Sequence, residues 1–355
     1  MAFFGVTIEE IDKVEAIPGA DRIEKATVKG MLFEFVIGKG SFKPNDRILY
    51  FPVDSLIPND IAEKLGVAGK LAGPNKNRLK TIKLKQQISQ GLVGPLDLIK
   101  NMPQRTDVDE PTAITEYLKI EKWESEPITC KNANLLSLPC GLSKYDIDGA
   151  DRYPRILETL MDQEIVVSEK MEGSQISITR DVDGKIYVNQ RRHTIEVKEG
   201  EEHTWWKVAK ESKWIDFVEF LTSALGKDKA ITIYGEMCGP SIQGNIYKFK
   251  EHRVFTFDIK VGDNFIDFTK FEELVKSWEE KNGLKDIMVP ILFKGKLKDY
   301  LNGKKVSEVS NGKSVFGDFL REGIVIKPIT EQSVYHFGRL VLKMRSPSYL
   351  AKSDN

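Results

Sequence analysis

The stretch Ile165-Val-Val-Ser-Glu-Lys-Met-Glu-Gly-Ser-Gln-Ile-Ser-Ile178 constrains the chain most. An apolar run, a short polar turn, and Ile176 and Ile178 alternating with polar residues predict two strands joined tightly. The turn carries Lys170, so a sheet on either side holds its amine, and Gly173 leaves room for close approach to the backbone. Lys-x-x-Gly alone is a weak pattern. Lys70-Leu-Ala-Gly73 repeats it between a short helical segment and a Gly-Pro loop, with no strand leading in. On four residues a solvated turn lysine is the commoner outcome, and the rest of the chain has to decide.

At 355 residues the chain has room for two domains, each with its own core. Its net charge is zero, so attraction to a polyanion must come from local basic clusters. Cys130, Cys140 and Cys238 are odd in number and lack metal-ligand spacing. They argue against a disulfide scaffold and a zinc site and for a reducing compartment. The start, Met1-Ala-Phe-Phe-Gly5, has no basic region followed by an apolar run, and no later segment is apolar long enough to span a bilayer. A soluble, intracellular chain acting as a monomer is the expectation.

Residues 1–105 read as an all-β module. Phe3 to Ile8, Ala26 to Val28, Met31 to Ile37 and Ile48 to Pro52 are short apolar runs separated by Pro18-Gly19, Gly38-Lys-Gly40 and Pro44-Asn-Asp46. That spacing suits a small barrel. The run Lys76-Asn-Arg-Leu-Lys-Thr-Ile-Lys-Leu-Lys85 carries Lys76, Arg78, Lys80, Lys83 and Lys85 and no acid. It fits a charged protective edge strand as well as a phosphate-contacting surface. Residues 106–140, with Pro111, Pro127 and Pro139 and one helical piece near Ala113 to Lys119, read as a connector. From 141 to 355 the pattern is α+β. His203 to Leu225 predicts one helix stopped by Gly226, with the Trp205-Trp206 pair in its core face. Thr269-Lys-Phe-Glu272 predicts the start of another that ends before Gly283. Residues 284–318 are lysine-rich and irregular and suggest no role.

Five later stretches place polar groups beside short β runs. Tyr187 to His193 contributes Arg191 and Arg192, and Ile231 to Pro240 contributes Glu236 between glycines. Val254 to Lys260 puts Phe255 and Phe257 on one strand face beside Asp258. Arg321 to Lys327 contributes Glu322 and Lys327, and Arg339 to Ser346 contributes Lys343 and Arg345 two apart. Singly these read as surface ion pairs and core packing. Together they supply one nucleophilic amine, two carboxylates for a divalent cation, an aromatic ring for a base and several cations for phosphates. A lysine amine is almost wholly protonated at neutral pH and cannot attack phosphorus in that form. Carboxylates alone deepen the problem, whereas a cation or the neighbouring Lys343 and Arg345 relieve it.

The order of these six stretches, from about 144 to 350, resembles the covalent nucleotidyltransferase superfamily of DNA ligases, RNA ligases and capping guanylyltransferases. Gly235-Glu-Met-Cys-Gly-Pro-Ser-Ile-Gln-Gly-Asn245, Thr256-Phe-Asp-Ile259 and Lys343-Met-Arg-Ser-Pro-Ser-Tyr349 look most like RNA ligases. Pro18 to Glu24 with Phe51 to Pro58 resembles an OB-fold barrel of RNA-binding modules. A barrel ahead of the catalytic region resembles the fifth RNA-ligase family.

The resemblance implies an ATP-dependent RNA ligase that passes AMP from ATP through Lys170 to an RNA 5′-phosphate and then joins a 3′-hydroxyl, with Mg²⁺ or Mn²⁺. It implies that the backbone at Glu169 and Met171 reads the adenine edge and that Phe257, beside Asp258, stacks on the base. Glu236 and Glu322 would serve the metal through water. Arg191, or Arg192 if the alignment slides by one, would contact the adenylate or RNA. Lys327, Lys343 and Arg345 would face phosphates, Arg345 standing where relatives usually carry lysine. Gln243, Lys76, Arg78, Lys80, Lys83 and Lys85 would contact RNA, with a nicked duplex as one candidate form. The chain ends soon after Lys343, which argues against a DNA ligase or capping enzyme. A non-catalytic OB-fold RNA-binding protein is the alternative from another class.

Overall fold

The computed structural model describes residues 4–124, 132–335 and 337–353, which form two compact units. One comprises 4–124, 148–155 and 346–353, the other 132–147 and 156–345. Cys130 and Pro127, singled out in the sequence, and the first three residues lie outside the described residues.

The first unit holds a five-stranded antiparallel sheet in the order Phe35–Gly38, Ile23–Val28, Thr7–Ala16, Arg47–Phe51, Leu92–Gly94. The long strand Thr7–Ala16 serves two neighbours. Its first half pairs with Arg47–Tyr50 and its second half with Glu24–Val28, across an irregularity between Ile11 and Lys13. Such a bulge bends a strand and tightens its twist, which curls the sheet towards a barrel. Within Arg47–Phe51, residues 48–51 are buried on both faces. Ile48 and Tyr50 pack with Phe33, Phe35 and Val93, while Leu49 and Phe51 pack with Ile57, Ile61 and Leu79. Double burial explains the unbroken apolar run seen there in the sequence.

Residues 106–140 do not behave as one connector. Glu110–Tyr117 is a helix capped by Asp109, whose Oδ1 accepts from Thr112 N at 2.8 Å. Ile114, Leu118 and Ile120 are buried in the same cluster as Leu49 and Phe51. The first unit therefore continues past 105. The tail helix Pro347–Ser353 also belongs to it and packs on the hairpin strands Ile82–Leu84 and Gln87–Ser89. Proline spacing gave these stretches a local linker character, whereas their burial is set by distant residues.

The second unit is built on two antiparallel sheets. The larger runs Ala133–Leu136, Thr194–Val197, Ile186–Asn189, Ser174–Arg180, Ile231–Cys238, Arg253–Val261, Asn264–Phe265. The smaller runs Leu342–Arg345, Gly323–Pro328, Glu164–Lys170, Ile291–Lys296. Helices Trp214–Leu225 and Phe268–Asn282 cover the larger sheet through Trp214, Phe217, Leu221, Phe271 and Trp278.

Three sequence expectations change in this unit. His203 to Leu225 is two helices, Thr204–Glu211 and Trp214–Leu225, because Lys213 takes a left-handed φ of 58° that no continuous helix admits. Trp205 is buried, and Trp206 Nε1 donates to Ile195 O at 2.9 Å, so both serve the core. The second helix starts at Phe268, not Thr269. Its expected capping acid Glu272 pairs with Lys276 and Lys294 instead. Within 284–318, Ile291–Lys296 is the strand that closes one edge of the smaller sheet.

Candidate active site

Lys170 ends a strand of the smaller sheet, and Ser174 begins a strand of the larger one. Residues 171–173 carry the chain between the sheets, so polar groups from both converge on one amine. Gly173 is needed for this crossing, but not to admit a ligand. A Cβ there would lie 2.4 Å from Met237 O and 2.9 Å from Glu236 Cγ. Gly235 likewise gives its space to Trp214 rather than leaving it open.

Lys170 pairs across the strands with Gly323, and its Nζ lies 2.6 Å from Glu322 Oε1. Glu236, on the larger sheet opposite Gln175, is the second acid. Burial pushes its carboxyl up to about 8; Lys170 and Arg191 work against this and Glu322 adds to it. Two acids sharing one site, one of them avid for a proton, await positive charge. Among the described residues no group of three or more His, Cys, Asp or Glu could cage a metal ion. The donor set therefore fits a hydrated divalent cation held through water by Glu236 and Glu322.

Opposite the acids stands a cluster of cations that the sequence only partly announced. Gly323 pairs with Arg345 and Val325 with Lys343, placing both cations on the face of the smaller sheet that carries Lys170. Asp146 sits among Lys343, Arg191 and Lys144. Its Oδ1 lies 2.7 Å from Arg191 Nη2 and 3.5 Å from Lys343 Nζ, and its Oδ2 lies 3.5 Å from Lys144 Nζ. Of the two candidate arginines, Arg191 reaches this cluster through Asp146. Burial brings Lys343 down to about 8, opposed by Asp146 and assisted by Lys170, Arg345 and Arg191. The sequence carries no mark at Asp146, because an acid among cations is locally indistinguishable from a surface ion pair.

Asp258 and Lys327 form a buried network instead of facing an open site. Lys327 Nζ donates to Asp258 Oδ1 at 2.6 Å and lies 2.9 Å from Glu331. Arg339 donates to both Asp258 oxygens, at 2.6 and 3.0 Å, and Tyr145 Oη donates to Oδ2 at 2.6 Å. Lys327 is thus committed to acids beneath the site. Arg339, Glu331 and Tyr145 are members the sequence did not single out; the signal available was a charge flanked by apolar residues at Arg339.

Phe257 sits at a β-bulge, where Tyr234 faces Asp258 but Gly235 faces Thr256. The extra residue breaks simple alternation, so Phe255 and Phe257 do not share surroundings as expected. Phe255 is fully buried near Phe249 and Phe316, whereas Phe257 stays partly exposed beside Tyr145, at 5.1 Å, and Tyr234. The Glu169 amide donates to Pro290 O at 2.9 Å, so this group is already engaged. Its carboxylate is buried and accepts from Val315 N, and burial raises its proton affinity. Met171 is buried behind the turn.

Gln243 is exposed on the loop between Ile231–Cys238 and Arg253–Val261. Glu172 clamps that loop to the Lys170 turn. Its Oε1 accepts from Gly244 N at 2.8 Å, and its backbone N donates to Tyr247 Oη at 2.6 Å. The first unit carries the lysines of 76–85. Arg78 departs from that group, because both Nε and Nη2 donate to Asp54 and its guanidinium stacks 3.2 Å from the Trp123 ring centre. Its role is to brace the unit.

A model of the RNA ligase family matches residues 163–345, and an OB-fold domain model matches 5–96. Solved structures of Naegleria gruberi RNA ligase are similar over almost the whole chain. An apo mutant and a lysine mutant with ATP and Mn each match at 30% identity and a TM-score of 0.80, covering 99% of both chains. The same RNA ligase with PPi matches equally well. No curated protein sequence matches the chain.

Proposed function

The chain belongs to the RNA ligase family, and on that premise we propose that Lys170 is the nucleophile of an ATP-dependent ligase joining RNA 3′-hydroxyl and 5′-phosphate ends. The observation that carries the reading is the convergence of Glu322 and Glu236 with Lys343 and Arg345 around one amine at the crossing of two sheets. Naegleria RNA ligase structures that hold ATP, AMP and Mn support ATP as the nucleotide and Mn²⁺ as a competent ion. Mg²⁺ satisfies the same oxygen donors and is the second candidate.

Lys170 Nζ attacks the α-phosphorus of ATP, an N–P bond forms, and the P–O bond to pyrophosphate breaks. Glu322 lies where it can orient the amine and take up its proton. A divalent cation, held through water by Glu236 and Glu322, supplies positive charge against the α-phosphate. Lys343, Arg345 and Arg191 balance the charge that develops on the phosphates, and Phe257 offers its partly exposed ring to the adenine. The AMP then passes from Lys170 to an RNA 5′-phosphate oxygen. A 3′-hydroxyl attacks that activated phosphorus and AMP leaves. The first unit grips RNA.

Intact mass after incubation with ATP and Mn²⁺ tests the reading. A gain of one AMP, absent in Lys170→Ala, is expected. A chain that gains no nucleotide, or an adduct that survives Lys170→Ala, overturns it.

A further inference from the structure

Among the described residues, strands Ile82–Leu84 and Gln87–Ser89 form a two-stranded ribbon outside the main sheet of the first unit. The inner strand is tied down. Ser89 Oγ accepts from Val36 N at 3.0 Å and Gln87 Nε2 donates to Glu34 at 2.9 Å. The outer strand is exposed at every residue, and exposure continues through Lys85 and Gln86.

The tail helix Pro347–Ser353 packs on the ribbon, yet two features of the outer strand still cost stability. Leu84 and Gln87 flank a two-residue turn in which Lys85 and Gln86 both take positive φ, 47° and 70°. Asn-Gly is the inexpensive sequence for such a turn, and lysine and glutamine have no local reason to be there. Ile82 and Leu84 lie 47% and 38% exposed on one face, with Lys83 between them on the other. A lysine that merely protects a sheet edge from aggregation needs no apolar pair beside it, and such a pair works against that purpose. Strain and exposed apolar surface kept together in one element point to a partner.

We propose that this ribbon is an RNA-duplex contact, entering the wide, shallow minor groove edge-on. Lys83 and Lys85 meet phosphates on one side, and Ile82 and Leu84 pack on ribose edges on the other. Charge selects the partner: residues 76–85 hold no acid, and Lys76, Lys83 and Lys85 are exposed. An A-form minor groove presents riboses flanked by phosphates, matching a ribbon with one apolar and one basic face. The inference deepens the ligase reading and rests on it.

The test measures binding of the full chain to a nicked RNA duplex across a salt series, alongside adduct formation with ATP and Mn²⁺. Lys83→Ala/Lys85→Ala is expected to weaken binding about tenfold or more and to flatten the salt slope by about 2, one per phosphate contact. Ile82→Ser/Leu84→Ser is expected to weaken binding with the slope unchanged. Both variants should form the Lys170 adduct at the parental rate, and Gln86→Gly, which relieves the turn, should bind as the parent does. Unchanged affinity in both double variants, or equal loss on single-stranded RNA, overturns the ribbon contact while a normal adduct leaves the ligase reading standing. An adduct absent from the parent chain removes that reading instead.

Discussion

Asp146 Oδ1 lies 2.7 Å from Arg191 Nη2, and the same oxygen is 3.5 Å from Lys343 Nζ. One carboxylate thus draws together a cation from the turn after Ile186–Asn189 and one from the strand Leu342–Arg345, and offsets their mutual repulsion. It also opposes the burial that brings Lys343 down to about 8. Without Asp146 the proton leaves Lys343 at lower pH. Asp146→Asn is therefore expected to move the alkaline fall of the adenylylation rate below about pH 8 and to cut the rate at neutral pH by about 10- to 100-fold. A pH–rate profile of single-turnover adduct formation checks both. An unshifted alkaline limb would show that Asp146 does not govern Lys343.

The Glu236 carboxyl, pushed up to about 8 by burial, carries a proton at neutral pH in the metal-free state. A divalent cation at this site must displace that proton. The apparent affinity for Mn²⁺ should accordingly tighten as pH rises, by up to about tenfold per unit, and level off above about 8. Calorimetry in buffers of different ionisation enthalpy should detect the released proton in the parent chain and none in Glu236→Gln. Removing the metal with a chelator should abolish adduct formation.

The charges around Lys170 were legible because each sits at the end of a short apolar run, so sheet register could be guessed from local pattern. Asp146 and Arg339 were not, because Arg191 and Lys343 lie 45 and 197 residues from Asp146, Asp258 lies 81 residues from Arg339, and nothing local marks an acid as shared. For the same reason Lys327 looked like a phosphate ligand. Its position on a strand was readable, but the acids that occupy it come from another strand and a following turn. The helix around Ile114 was visible as a helix and misread as a connector, since its value lies in where Ile114, Leu118 and Ile120 are buried.

That burial makes a stability prediction for the first unit. Ile114 is fully buried against the Leu49 and Phe51 side of the sheet. Ile114→Ala is expected to destabilise this unit by about 2–5 kcal/mol. A fragment ending at residue 105 should unfold at lower urea than one ending at 124, since both lack 148–155 and 346–353 and only the second keeps Ile114, Leu118 and Ile120; equal midpoints would show that the 110–120 segment adds nothing.

The buried network should make the second unit acid-sensitive. Burial opposes ionisation of Asp258, yet Lys327 and Arg339 hold its carboxyl below the usual carboxylate range. A carboxyl depressed on folding contributes stability above its unfolded pKa of about 4, and that contribution disappears as pH falls through the lower folded value. Asp258→Asn should therefore weaken the fold at pH 7 and flatten the loss of stability below about pH 4. Asp258→Ala, which leaves Lys327 and Arg339 sharing Glu331, is expected to cost about 3–5 kcal/mol. Urea midpoints between pH 3 and 7 provide the measurement.

Phe255 and Phe257 are two residues apart, and the bulge between them gives each a different task. Phe255 is fully enclosed by Phe249 and Phe316, so Phe255→Ala opens a cavity and is expected to cost about 3–5 kcal/mol of stability. Phe257 is only partly buried beside Tyr145, so Phe257→Ala should cost less stability but remove a stacking surface worth about 1–3 kcal/mol per base. That loss raises KM for ATP by roughly 5- to 150-fold, at about 1.4 kcal/mol per tenfold. Phe257→Trp should recover most of it, since any broad ring can stack. Thermal unfolding and ATP-dependent adduct kinetics on the two alanine variants separate the roles. If Phe257→Ala leaves KM unchanged, adenine is held elsewhere and the bulge serves only to seat Asp258 against Lys327 and Arg339.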